Sequence, residues 1–149
     1  MISIANPGSS CLKPAGFVGE QLQLWFGDVI SEADAQQCRT KAPTIQDIRK
    51  AVEFFRSARR LPEAKILVCC DYGASRSPAL AYVCVADHLG NGWESEALAL
   101  VLEIRPNAVP NRLVVELGDA FLGRHGALLQ PLKQFYSRLN EEISRFRNQ

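Results

Sequence analysis

The segment Ile66-Leu67-Val68-Cys69-Cys70-Asp71-Tyr72-Gly73-Ala74-Ser75-Arg76-Ser77-Pro78 constrains this chain more than any other. An apolar run leads into cysteine, a short loop with one glycine follows, and Arg76-Ser77-Pro78 opens a helical pattern. The run from Lys65 to Cys69 fits a strand buried on both faces, as in a parallel sheet with helices on either side. Pro78 suits a first helical turn, where its missing N–H costs nothing. Backbone N–H groups at a loop-to-helix junction converge on one centre and make an anion site. The same field favours a thiolate over a thiol. One stretch thus offers a nucleophile beside an oxyanion clamp.

The flanking sequence supplies a scaffold. Ile2 to Ala5 and Leu22 to Phe26 read as short strands. Asn6-Pro7-Gly8-Ser9-Ser10 is a turn cluster, and Val29 to Ala42 is an irregular or partly helical connection. Thr44 to Arg60 is a helix with Thr44 as N-cap and Asp47 three residues on. Its buried face is Ile45, Ile48, Val52, Phe55 and Ala58. Further helices span Ser77 to Leu89, Glu94 to Arg105, Arg112 to Leu122 and Pro131 to Phe146. With 149 residues the chain fits one domain, residues 1–149, able to bury a real core. The expected fold is α/β, a short, mainly parallel central sheet flanked by helices, with the loop at the C-terminal end of a central strand.

Charge and cysteine usage narrow the functional classes. A net charge of +1 gives no global pull toward nucleic acid or an anionic membrane. No apolar run approaches the ~20 residues of a membrane span, and the first residues lack a signal-peptide pattern. The five cysteines, an odd number at irregular spacing, argue against a disulfide framework. A reduced, cytoplasmic setting follows. No second Cys or His pair accompanies Cys69 and Cys70, and His88 and His125 fit no ligand pattern, so no metal or other cofactor is expected. A monomer is the default.

The register selects the reactive thiol. Cys70 and Arg76 form Cys-x5-Arg, whereas six residues beyond Cys69 lies Ser75. A free thiol titrates near pH ~8.5, and a helix start with a nearby cation lowers that by one to several units. Asp71, Tyr72, Gly73, Ala74, Ser75 and Arg76 would wrap a tetrahedral oxyanion, with Gly73 taking positive φ at the tip. Arg76 offers a planar fork for two phosphate oxygens. Ser77 is placed to hydrogen-bond the sulfur and ease its departure in a second step. The implied chemistry is phosphoryl transfer to sulfur, followed by hydrolysis of a phosphocysteine.

Cys70-Asp71-Tyr72-Gly73-Ala74-Ser75-Arg76-Ser77 resembles the signature loop of the cysteine-dependent protein tyrosine phosphatase superfamily, in particular its dual-specificity-like branch. There the pattern is His-Cys-x-x-Gly-x-x-Arg followed by Ser or Thr. Arg105-Pro106-Asn107-Ala108-Val109-Pro110-Asn111 is similar to a segment that follows the signature helix in many such proteins. Leu24-Trp25-Phe26-Gly27-Asp28 resembles the strand and Asp that precede it. With Leu122-Gly123-Arg124-His125-Gly126, the whole looks like a compact bacterial group of tyrosine phosphatase-like proteins. Cys69 stands where the family has His, a residue implied to hold the loop and keep the cysteine ionised. Ile2 to Ala5 resembles an internal strand of the family, which implies a first strand shortened or missing.

The resemblance implies a tyrosine phosphatase-like fold and a phosphomonoester hydrolase acting on a phosphorylated protein or a small phosphomonoester. Leaving-group protonation needs a carboxyl over the phosphate. Asp28 is the choice, with Glu32 and Asp34 as alternatives, and the bland alternative is that Asp28 caps a turn. Asn111 either orients loop backbone or water, or caps the helix at Arg112. Arg105 either braces the loop or sits in a helix's last turn. Tyr72 could line the mouth of the site. Cys69 keeps a second function open, a weak or inactive module that captures phosphorylated ligands, and also leaves Cys70 a neighbouring thiol for oxidative protection. A rhodanese-like or thiol redox protein built on Cys69 and Cys70 fits Arg76-Ser77 and the Arg105 segment less well.

Overall fold

A computed structural model describes residues 1–147. Three strands, β1 (Ile2–Ala5), β2 (Leu22–Trp25) and β3 (Val68–Cys69), form one parallel sheet in the order β2-β1-β3. The described helices are α1 (Glu32–Gln37), α2 (Ile45–Ala58), α3 (Arg76–Leu89), α4 (Glu94–Ile104), α5 (Arg112–Leu122) and α6 (Leu129–Arg147). The architecture is α/β with a parallel sheet. Among the described residues no helix is long and apolar enough to cross a membrane.

The sheet departs from expectation in one respect that matters for the site. Lys65 to Cys69 was the stretch expected at the centre, buried on both faces. Instead β1 is central and β3 is an edge strand with two ladder residues. The physical reason lies in β1, whose four residues are all buried and which carries both ladders. Leu67, just before β3, is 47% exposed.

Period-two alternation divides the two faces of β1. Ile2 and Ile4 enter the main core with residues of α2, α3 and α5. Ser3 faces the other way: its hydroxyl donates to Leu12 O at 2.8 Å and accepts from Gln21 Nε2 at 2.9 Å. That face is covered by the β1–β2 connection, not by the second helix layer expected from an apolar strand.

Local signals set the helix boundaries. Thr44 and Asp47 form a reciprocal capping box: the Thr44 hydroxyl accepts from Asp47 N and the Asp47 carboxylate accepts from Thr44 N. Ile45, expected on the buried face of α2, is 42% exposed. It is the first residue of the helix, and burial starts one turn later at Ile48, Ala51 and Val52. Within the Val29–Ala42 connection, Ser31 caps the short helix α1. Asn111 caps α5 by accepting from Val114 N at 3.0 Å.

Helix α3 is the hub, packed against α2, α4, α5, β1 and β3. Its far end is locked by a buried ion pair, Arg124 Nη1 to Glu94 Oε1 at 2.7 Å, with Arg124 Nη2 donating to Ala86 O. Its contact with α5 is close. A Cβ on Gly118 would lie 2.8 Å from Val83 Cγ1 and nearer still to Cγ2. Helix propensity alone makes Gly118→Ala stabilising by about 1 kcal/mol, whereas overpacking costs about 1–3 kcal/mol. Val83 is fully buried and its branched side chain is stiff, so sterics should win. Gly118→Ala is therefore expected to lower stability by about 1–2 kcal/mol in urea unfolding, and unchanged or raised stability would contradict this packing.

Candidate functional site

The chain leaves β3 at Cys69, crosses the loop 70–75 and enters α3 at Arg76. Cys69 and Cys70, adjacent on extended backbone, face opposite ways. Cys69 Sγ lies 3.5 Å from Ser3 Oγ of the central strand. Cys70 turns inward and is 6% exposed, with Sγ 3.2 Å from Ser77 Oγ. The two thiols are thus held by different partners on different faces.

Peptide orientation in the loop follows from where its carbonyls bind. Arg105 Nη2 donates to Tyr72 O at 3.2 Å, and Arg105 Nε to Gly73 O at 3.1 Å. Val109 N donates to Ala74 O at 2.7 Å, and Asn111 N to Ser75 O at 3.1 Å. Four consecutive carbonyls are therefore drawn outward by the segment 105–111. The N–H groups of Gly73 and Ser77 reach the Cys70 sulfur from the inner side. Gly73 has φ of +63°, a conformation that favours glycine, and a Cβ there would stand 3.1 Å from Arg105 Nη2 and push on the brace.

These donors act on Cys70. Burial raises its pKa, but the Ser77 hydroxyl, the Ser77 and Gly73 N–H groups and the Arg76 charge outweigh burial, and the net pKa falls below the ordinary thiol value. The other thiols go the opposite way. Burial pushes Cys84 up to about 12 and raises Cys11. Cys38 is raised by desolvation and by the Asp34 carboxylate.

Arg76 is 3% exposed, and three of its five N–H donors are engaged. Nη1 donates to Asn6 Oδ1 at 3.0 Å and to Phe26 O at 2.9 Å. Nη2 donates to Asp71 Oδ2 at 2.7 Å. The remaining donors are one Nη2–H and Nε–H, and Nε is buried without a partner. A buried N–H left unmade carries a desolvation penalty of about 1–3 kcal/mol, so this edge of the guanidinium is built for an acceptor. Two N–H groups side by side match two oxygens of a tetrahedral oxyanion.

Asp28 is brought to the loop. Its Oδ1 accepts from Ser75 Oγ at 2.7 Å and from Asn111 Nδ2 at 2.8 Å, leaving Oδ2 unengaged on an exposed residue. Asn111 caps α5 through Oδ1, one of the two readings weighed for it, while its Nδ2 donates to Asp28 and to Val29 O rather than to loop backbone. Asp34, the alternative acid, is committed to α1, accepting from Ile30 N at 3.0 Å. Glu32 lies in the first turn of the same helix. Beside Asp28 and Ser75 lies a cleft of about 700 Å³ that includes Ile30, Val109 and Arg112. Tyr72 stands at the loop mouth, 85% exposed.

Sequence reading missed Asn6 and the Phe26 carbonyl. Asn6 looked like a turn residue, but it follows the central strand and ends beside Arg76. Its signal was position: polar residues just past the carboxyl ends of parallel strands converge on one edge of the sheet. Among the described residues no group of three or more His, Cys, Asp or Glu side chains is arranged to hold a metal ion. Comparison with protein-family models, with curated proteins and with solved structures finds no match to this chain.

Thiol alkylation tests the electrostatics directly. The iodoacetamide rate at Cys70, followed by peptide mapping, should rise with a midpoint below that of an ordinary thiol and ahead of Cys11, Cys38 and Cys84. Ser77→Ala removes a donor that favours the charged form, so the midpoint should move up in pH. A midpoint unchanged by Ser77→Ala would refute the role of that hydroxyl.

Proposed function

We propose that this chain is a cysteine-dependent phosphomonoester hydrolase of the tyrosine or dual-specificity type, with the corresponding fold. The observation that carries the reading is the buried, unpartnered Nε of Arg76 in a loop that also holds a thiol of lowered pKa. Thiolate and guanidinium edge belong to one loop, as an in-line attack on a bound phosphoryl group requires.

In the first step the Cys70 thiolate attacks phosphorus. A P–S bond forms, the bond to the leaving oxygen breaks, and that oxygen takes a proton from Asp28. Arg76 and the inward N–H groups hold the equatorial oxygens as charge spreads over them. In the second step water attacks phosphorus and gives its proton back to Asp28. The P–S bond breaks, and the departing thiolate is stabilised by the Ser77 hydroxyl. No metal or cofactor enters, because Arg76 and the loop amides supply the neutralising charge.

A phosphorylated protein or a small phosphomonoester is the substrate class. Five free cysteines suit a reducing compartment such as the cytoplasm of a bacterial cell. One observation favours a second reading, a phosphate-binding module without turnover: the Asp71 carboxylate already occupies part of Arg76 Nη2.

Hydrolysis of p-nitrophenyl phosphate and of an alkyl phosphate separates the readings. The parent should turn over both, and Cys70→Ser should abolish turnover while retaining tungstate binding. Asp28→Asn can still accept from Ser75, so it should preserve the fold and the fast leaving group. It should lose about 10²–10⁴-fold on the alkyl phosphate, the span of general acid catalysis. Tungstate binding without turnover in the parent would establish the binding module, and full alkyl-phosphate activity in Asp28→Asn would remove Asp28 as the acid.

A further inference from the structure

The guanidinium of the loop is already paired with a carboxylate. Asp71 Oδ2 lies 2.7 Å from Arg76 Nη2, and Asp71 is the residue next to Cys70. Holding Arg76 in place does not require it, because Nη1 is fixed by Asn6 Oδ1 and by the Phe26 carbonyl. Among the described residues no hydrogen bond reaches Asp71 Oδ1. The Asp71 side chain is 32% exposed and that of Arg76 3%. The cation thus lies deep, and its counter-charge lies toward solvent.

The other charged groups at the loop leave this pair as it is. Arg105 binds the carbonyls of Tyr72 and Gly73 from the outer side. Arg112, in the cleft beyond Asp28, is paired with Glu116 at 2.6 Å. Asp28 adds a second carboxylate, tied to Ser75.

We propose that Asp71 is a specificity-determining residue that makes the cradle select its tetrahedral ligand by charge. That role rests on the hydrolase reading only in so far as the loop holds a phosphoryl group. With Asp71 cancelling Arg76, the ligand gains hydrogen bonds from the guanidinium and the inward N–H groups but little net attraction between charges. Two acceptors that share one guanidinium nitrogen lie roughly 5 Å apart. At that distance each negative charge on the ligand weakens binding about fourfold even at the dielectric of bulk water. The favoured substrate is a lone phosphoryl group with neutral or basic surroundings. Pyrophosphates, bisphosphates and acidic flanks are disfavoured.

Tungstate and perrhenate are the probes, because these tetrahedral oxyanions match in size and differ by one charge. The host is the Cys70→Ser protein, in which no thiolate responds to the second substitution. Titration calorimetry at low ionic strength, where charges are least screened, gives both affinities. Asp71→Asn keeps an acceptor for Nη2 and loses the charge. It should tighten perrhenate about fourfold and tungstate about sixteenfold, the square of that factor. Asp71→Ala should keep that order, and pyrophosphate should likewise gain more than inorganic phosphate. Equal gains within either pair would overturn the proposal. Weaker binding of tungstate and perrhenate alike would also overturn it, as the mark of an Asp71 that merely holds Arg76. So would a Cys70→Ser protein that binds none of these anions, which would remove the phosphoryl cradle as well. The expected gains in a chain whose parent hydrolyses no phosphomonoester would support charge selection and remove the hydrolase reading alone.

Discussion

The site depends on which way the peptide groups of one short loop face. Between Cys70 and Arg76 the carbonyls of Tyr72, Gly73, Ala74 and Ser75 are bound from outside by Arg105, Val109 N and Asn111 N. A peptide unit is planar, so turning a carbonyl outward turns the next N–H inward. The segment 105–111 is thus what makes the cradle electropositive. It is rigid for its own reasons, carrying Pro106 and Pro110 and ending in the α5 cap at Asn111. A loop free to flip its peptides would present carbonyl oxygens to an anion, and the helix start at Arg76 would not compensate.

The second constraint is the fixing of Arg76. A buried guanidinium needs acceptors, and here they come from the ends of both neighbouring strands, Asn6 after β1 and the Phe26 carbonyl after β2. These hold Nη1 and leave the opposite edge, with Nε, without a partner. Asp71 holds one Nη2 proton from within the loop. Three parallel strands therefore contribute the Cys70 thiol, the two acceptors that orient the guanidinium, and, through Asp28, a carboxyl tied to the loop. The architecture that buries Ile2, Ile4 and Leu24 on one face is also the one that aligns these ends.

Much of this was legible in the residues. The capping pairs Thr44–Asp47 and Asn111–Val114 and the Cys70 register act within a few residues or within one loop, whereas the Arg105 brace, 32 positions from Gly73, was suggested only by the resemblance of its segment. What was not legible depends on strand order. An apolar run such as Ile66-Leu67-Val68 looks equally buried at the centre or at an edge, and only the pairing of β1 with both neighbours decides it. The role of Asn6 was hidden for the same reason, since it acts on Arg76 across 70 positions of sequence. Ile45 misled because helical periodicity does not say where on a helix the core begins.

The central claim is that Cys70 and Arg76 perform covalent phosphoryl transfer together. The most direct measurement is a rapid denaturing quench of the protein mixed with a ³²P-labelled aryl phosphate, followed by peptide mapping. The account predicts one labelled peptide, with the phosphoryl group on the sulfur of Cys70 and the label lost on a chase with unlabelled substrate. Turnover without a labelled cysteine, or label on Cys69, would contradict it.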